Sequence, residues 1–161
     1  AYHARSMNIY HRHGAQVRIT TGADFAGNRW TVNAVFMQTP RGVSFLTPVG
    51  SIMRLFKRHN GKQGVAVQSA PSDLDVAASR TGNRVFLHVL NKSFGRAVEA
   101  RFAVAGMQVS GGRVFEIAPE DPRTAVGLDQ PAVFAPRERA LGAGAWRFPP
   151  AAVGAVELEI G

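Results

Sequence analysis

The side chains of this chain that are best able to do chemistry are its eleven carboxylates and five histidines. Two carboxylates held roughly 5 to 9 Å apart are the usual equipment for cleaving a glycosidic bond, one as acid/base and the other as nucleophile or base. Two close pairs occur in sequence, Asp73-x-Asp75 and Glu157-x-Glu159. Asp73 and Asp75 stand near a strand start, and Glu157 and Glu159 alternate with Val156, Leu158 and Ile160, which puts them on the outer, solvated face of a last strand. Neither pair reads as catalytic, and Asp24 is the one acid in the first 66 residues. His11-x-His13 is a spacing that metal ligands sometimes use. On a helix, however, residues two apart point about 200° apart, so one ion could not readily take both. With no cysteine and no glutamate before Glu99, no metal site is expected, and His11 and His13 read as a solvated basic face. His88 alternates with Val89 inside a strand and reads as a packed or surface imidazole rather than a base. No nucleophile motif, phosphate-cradling loop or dinucleotide fingerprint is present, so no cofactor is expected.

Charge is divided unevenly. Residues 1–66 hold nine Lys and Arg against Asp24, whereas residues 67–161 hold ten of each sign. The whole net charge of +8 therefore lies in one segment. Nucleic-acid binding would need those cations clustered beside stacking aromatics. Here they are scattered, and Tyr2, Tyr10, Phe25, Trp30, Phe36, Phe45 and Phe56 fall largely in apolar patterns. No nucleic-acid partner is expected; a more acidic protein surface is the simpler complement. No apolar run is long enough for a membrane helix, so no membrane partner is expected either, and the compartment stays open.

The elements that must position these groups change character along the chain. Tyr2 to His13 reads as a helix stopped at Gly14. Trp30 to Met37 is a nearly continuous apolar, β-branched run, the pattern of a strand buried on both faces, bounded by a turn at 39–42. Thr47 then caps a helix with Pro48 in its first position and Asn60-Gly61 as the stop, and Val49, Ile52, Met53 and Phe56 form its apolar stripe. Helix, buried strand and amphipathic helix is the grammar of an α/β barrel or doubly wound sheet, and one central strand cannot close such a sheet alone. From about Val67 the period becomes two: Leu74/Val76/Ala78, Val85/Leu87/Val89, Val98/Ala100/Phe102/Val104 and Val156/Leu158/Ile160. Turns are expected at 81–83, 91–95 and 110–112, further strands at 113–117, 132–134 and 146–148, and a long loop at 119–130. This predicts an antiparallel β-sandwich over 67–161.

Several stretches taken in order resemble one known family: Trp30-Thr-Val-Asn-Ala-Val, Leu46-Thr-Pro-Val-Gly-Ser-Ile-Met-Arg-Leu-Phe-Lys-Arg-His-Asn-Gly61, Leu74-Asp-Val-Ala-Ala-Ser, Val85-Phe-Leu-His-Val-Leu-Asn91 and Phe148-Pro-Pro-Ala-Ala-Val-Gly-Ala-Val-Glu-Leu158. They resemble the C-terminal third of α-L-arabinofuranosidases of glycoside hydrolase family 51. The resemblance implies a mainly β chain: a jelly-roll-like sandwich, residues 67–161, preceded by the last helix–strand–helix piece of a TIM barrel, residues 1–66. It implies a retaining hydrolase whose two catalytic glutamates precede Ala1, so that no catalytic residue lies in this chain. The first residue, Ala1 rather than Met, suits a piece of something longer. The expected partners are the rest of its own barrel, carbohydrate in the intact enzyme and, compatibly, a second copy. Because barrel enzymes work at the C-terminal ends of their strands, Asn28, Trp30 and Asn33 are the candidate substrate-binding residues. The alternative is a non-catalytic carbohydrate-binding or structural sandwich module, which requires a row of exposed aromatics drawn from Phe94, Phe134 and Trp146.

Overall fold

The computed structural model describes residues 1–21, 25–28, 33–38, 42–121, 123–142 and 144–161. In chain order its elements are α1 (Tyr2–Arg12), β1 (Ala26–Gly27), β2 (Val35–Gln38), β3 (Val43–Leu46), α2 (Pro48–Arg58), β4 (Gln63–Val65), β5 (Leu74–Thr81), β6 (Arg84–Asn91), β7 (Val98–Arg101), β8 (Val109–Ile117), β9 (Arg137–Ala140), β10 (Ala145–Phe148) and β11 (Val153–Ile160). The chain is mainly β, as its periodicity predicts.

A six-stranded antiparallel sheet, ordered β4-β5-β6-β11-β8-β9, forms the middle layer. On one face lies the two-stranded sheet β10-β7, and side chains between them make the sandwich core: Val85, Val89, Val114, Phe148, Val156, Leu158 and Ile160. Val85, Val89, Val156, Leu158 and Ile160 are alternating positions read from the sequence, and Val114 and Phe148 come from the further strands expected at 113–117 and 146–148. The other face carries α1 and α2. Ala4, Ile52, Leu55 and Phe56 pack there against Leu90, Ile117, Val153 and Ala155. Because both faces are covered, the positions expected to face water are enclosed, and His88, Asn91 and Glu157 are buried. The half-exposed sheet predicted for this region is thus corrected. The helices take the place of solvent.

Thr47 caps α2 with Pro48 in its first turn, as expected, and of the expected stripe Ile52 and Phe56 are buried and Val49 and Met53 half-buried, with Leu55 buried beside them. α1 turns the opposite way from its apolar pattern. Ala4 and Asn8 are buried, while Tyr2, Ile9 and Tyr10 face outward. Around the expected central strand, β2 pairs in parallel with β1 and antiparallel with β3. Residues 1–66 therefore supply short neighbours that the apolar pattern did not reveal, because Ala26-Gly27 is too short to show a period. β4 belongs to the edge of the six-stranded sheet.

Two further corrections have steric causes. Ser110-Gly111-Gly112, expected as a turn, lies within β8 beside β11. A Cβ on Gly112 would come 2.5 Å from the Glu157 carbonyl oxygen, so glycine here serves close strand approach rather than reversal. Residues 132–134 form a turn, not a strand, with Phe134 plugged into the helix-side core. The expected turns at 81–83 and 91–95 are present. Gly82 has the positive φ of +59° that the β5–β6 hairpin needs. Asn91 fastens the next turn by donating to the carbonyls of Arg96, Phe148 and Pro149 and accepting from the Ser93 amide.

Candidate functional site

The densest polar constellation among the described residues lies in the seam between the two helices and the six-stranded sheet. Its centre is His88 on β6. The ring stacks on Phe56 of α2 at 3.9 Å and nearly parallel. Its Nε2 is 2.8 Å from the carbonyl oxygen of His59, just after α2, and its Nδ1 is 3.0 Å from Nδ1 of His11 on α1. A carbonyl only accepts, so Nε2 carries the hydrogen, Nδ1 accepts, and His11 donates. Burial lowers the His88 pKa to about 4 against the opposing effect of its hydrogen bond to the His59 carbonyl, and burial lowers that of His11 as well. The two rings are therefore neutral at pH 7. His11 is exposed, as a member of a solvated face should be, and its ring nevertheless reaches His88. Of the two readings left open for His88, packed or surface imidazole, the structure shows the packed one.

Two ion-pair groups flank this centre. Glu157 of β11 is 6% exposed and meets His59 Nδ1 at 2.8 Å, Arg113 at 3.0 Å and Arg84. Burial alone would raise its pKa, but the His59 bond and the two guanidinium groups outweigh burial and hold it below the usual range. The outward, solvated position expected for Glu157 is corrected; Glu159 is the exposed member of the pair. On the α1 side, Asp75 receives Arg12 at 3.0 Å and Asn8 Nδ2 at 2.9 Å. Burial again opposes these bonds and again loses, so Asp75 is also held low. Its sequence neighbour Asp73 points elsewhere, to Arg96. The Asp-x-Asp pair is thereby split.

This arrangement binds elements together and does not do acid–base work. A general acid must hold a proton near neutrality, and Glu157 and Asp75 are both kept ionised by cations. Glu116 is the carboxyl raised by burial, against the hydrogen bond from Trp146 Nε1 at 3.0 Å, and no second carboxylate is bound into that contact. Among the described residues, no three His, Asp or Glu side chains converge on a metal position, and no helix is long and apolar enough to cross a membrane. A polar cavity of about 260 Å³ opens beside the seam, lined by Tyr10, His11, Arg18, Asn60, Ser79 and His88.

Two of the three candidate substrate-binding residues, Asn28 and Asn33, lie among the described residues. Asn28 is exposed just after β1. Asn33 is fully buried, its carbonyl accepts the Thr47 hydroxyl, and its side chain lies where a Cβ on Gly27 would be 3.3 Å away. Trp30 and Asp24 lie outside the described residues. The aromatic row needed by a carbohydrate-binding module is not formed. Phe94 is exposed, Phe134 is buried, and Trp146 is half-buried with its indole bonded to Glu116. Asn8, His11, His88 and Glu157 are the connecting residues that sequence reasoning missed. A sheet covered on its second face was the missing premise.

No protein-family model matches this sequence, and no curated protein does. Solved structures do match. The arabinofuranosidase of family 51 from Xanthomonas axonopodis pv. citri superposes with a TM-score of 0.78 at 14% identity, over 98% of this chain and 34% of that one. The fold is that of the C-terminal portion of a family 51 arabinofuranosidase. A family 51 α-L-arabinofuranosidase from Bifidobacterium longum gives 0.74 at 12% identity over 97% and 33%. That from Thermotoga petrophila gives 0.67 at 21% identity over 79% and 31%. The chain spans about a third of the length of these structures. Weaker likenesses extend to a family 30 endoxylanase from Clostridium papyrosolvens, with a TM-score of 0.58.

Proposed function

We propose that this chain serves as the C-terminal part of a retaining glycoside hydrolase of the α-L-arabinofuranosidase type, and that it is non-catalytic alone. The carrying observation is the likeness to family 51 structures over 98% of this chain and only 34% of the matched one. In this reading the residues up to the end of α2 belong to the end of a catalytic barrel, and the rest is the sandwich that braces it. The two catalytic glutamates are supplied by barrel strands earlier in the polypeptide.

The surface supports this division. Tyr2, Ile9, Tyr10, Ile19, Phe25, Met37 and Val43 are exposed large apolar side chains, all within the first 43 residues. So large an exposed apolar population in one segment marks an interface, and the excess positive charge of the same segment suits an acidic-rimmed partner. The remainder of the barrel is the partner we assign to it, and the isolated chain is expected to self-associate through this face. Asn28 and Trp30 are assigned to the sugar-facing side of the completed barrel, with Asn33 in the packing behind them.

Hydrolysis of 4-nitrophenyl α-L-arabinofuranoside by the purified chain at high concentration tests this reading. The expected rate is that of buffer alone. Turnover that co-purifies with the chain would overturn it and direct attention to Glu116.

A further inference from the structure

The seam contains one side chain on which both helices depend. His88 projects from β6 and is 2% exposed. It touches α1 through His11, and α2 through the Phe56 ring and the His59 carbonyl. A neutral imidazole with its hydrogen on Nε2 satisfies all of these contacts together. A proton added at Nδ1 turns that nitrogen from acceptor to donor, so His11 must give up the hydrogen it donates, and no carboxylate is bonded to the charge created at a ring that is 2% exposed.

We propose that His88 is a proton-operated clasp: neutral, it holds α1 and α2 on the six-stranded sheet, and charged, it releases them while the sandwich stays folded. This goes beyond the hydrolase reading and stands or falls independently of it.

The titratable and charged groups come from every element packed against β6, and Arg18, which follows α1, lines the cavity beside His88 and His11. α1 brings His11 and Arg12. α2 and its end bring the exposed Lys57 and Arg58, and His59. β5 brings Asp75, β6 brings Arg84, β11 brings Glu157 and β8 brings Arg113. The two carboxylates are committed, Asp75 to Arg12 and Asn8, and Glu157 to His59, Arg84 and Arg113. Neither compensates a proton on His88. Its ordinary pKa of 6.5 falls to about 4 when docked, burial being the main cause, with His11 and His59 adding repulsion. The docked state thus holds fewer protons than the released state. The stabilisation is complete above about pH 6.5 and declines as the pH falls toward 4; below that, docking is about 300-fold less favourable. The Glu157 cluster has its own acid limit, but with a carboxylate held below 4.5 its loss comes at lower pH.

Amide hydrogen exchange of the intact chain, followed by mass spectrometry from pH 7 to 4 and corrected for intrinsic exchange, tests the clasp. Peptides from α1 and α2 should lose protection progressively, by up to about 300-fold, while β11 peptides keep theirs. His88→Gln retains a donor toward the His59 carbonyl and cannot titrate, so it should flatten this profile; Glu157→Gln should preserve it. Simultaneous loss from helices and β11, or an unchanged profile in His88→Gln, would overturn the proposal. Should His88→Gln fail to fold, imidazole NMR of the unsubstituted chain decides. Titration of His88 near pH 4 supports the clasp, and titration near 6.5 with the helices still protected refutes it.

Discussion

Gly50→Ala should destabilise this chain although it replaces glycine with the best helix former. Gly50 is the third residue of α2 and is buried where that helix meets the backbone before β2. A Cβ there would lie 1.9 Å from the Ala34 carbonyl oxygen and 2.8 Å from its carbonyl carbon. The Ala34 carbonyl cannot yield freely, because it accepts the Thr47 amide at 3.1 Å just ahead of the helix. Ordinary contact needs roughly 3.5 Å, so α2 must withdraw by roughly 1.5 Å, loosening Ile52, Leu55 and Phe56 from the sheet. Overpacking of this kind costs about 1–3 kcal/mol or more, and here a backbone atom takes the clash, which places the cost at the upper end. Alanine returns about 1 kcal/mol of helix propensity. The net loss is about 2 kcal/mol, equivalent to a Tm lower by about 4–8 °C for a domain of this size. Thermal unfolding followed by circular dichroism reads it, with Gly95→Ala as control because nothing lies within 4 Å of a Cβ there. A Tm for Gly50→Ala equal to or above that of the parent would refute the close-contact reasoning.

Phe56→Ala, which removes both the His88 stack and a fully buried ring, should cost about 3–5 kcal/mol in urea unfolding. Glu157→Ala removes the carboxylate shared by Arg84, Arg113 and His59; because both guanidinium groups are more than a third exposed and water takes up part of the loss, the cost should be about 1–3 kcal/mol, whereas Glu159→Ala, on the exposed position, should stay within about 0.5 kcal/mol. Equal effects for the two glutamates would contradict the buried placement of Glu157.

The sandwich was legible because its strands alternate. Val85, Val89, Val156 and Leu158 each report the face that β7 and β10 cover. The second covered face was not legible, since Glu157 looks like a solvated residue in a period-two pattern and His88 fits a surface position as well as a packed one. Only knowledge that two helices lie over them changes that reading. The same blindness reversed α1. Tyr2, Ile9 and Tyr10 imply an inward stripe, yet the helix docks through the small Ala4 and the polar Asn8 and His11, which carry no hydrophobic period. Conversely, α2 was read well because Thr47, Pro48 and its apolar stripe are local signals that agree with its tertiary role. Glycine was ambiguous at 110–112, where close approach of β11 and a turn both call for small residues.

The measurement that bears most directly on the central claim is arabinofuranoside hydrolysis with and without the polypeptide encoded immediately ahead of this chain, joined to it or co-expressed with it. The account predicts no turnover by residues 1–161, turnover by the joined protein, and its loss when either of two glutamates in the preceding barrel portion is replaced by glutamine. Turnover by residues 1–161 alone, or a well-folded joined protein inert toward arabinofuranosides and other glycosides, would contradict it.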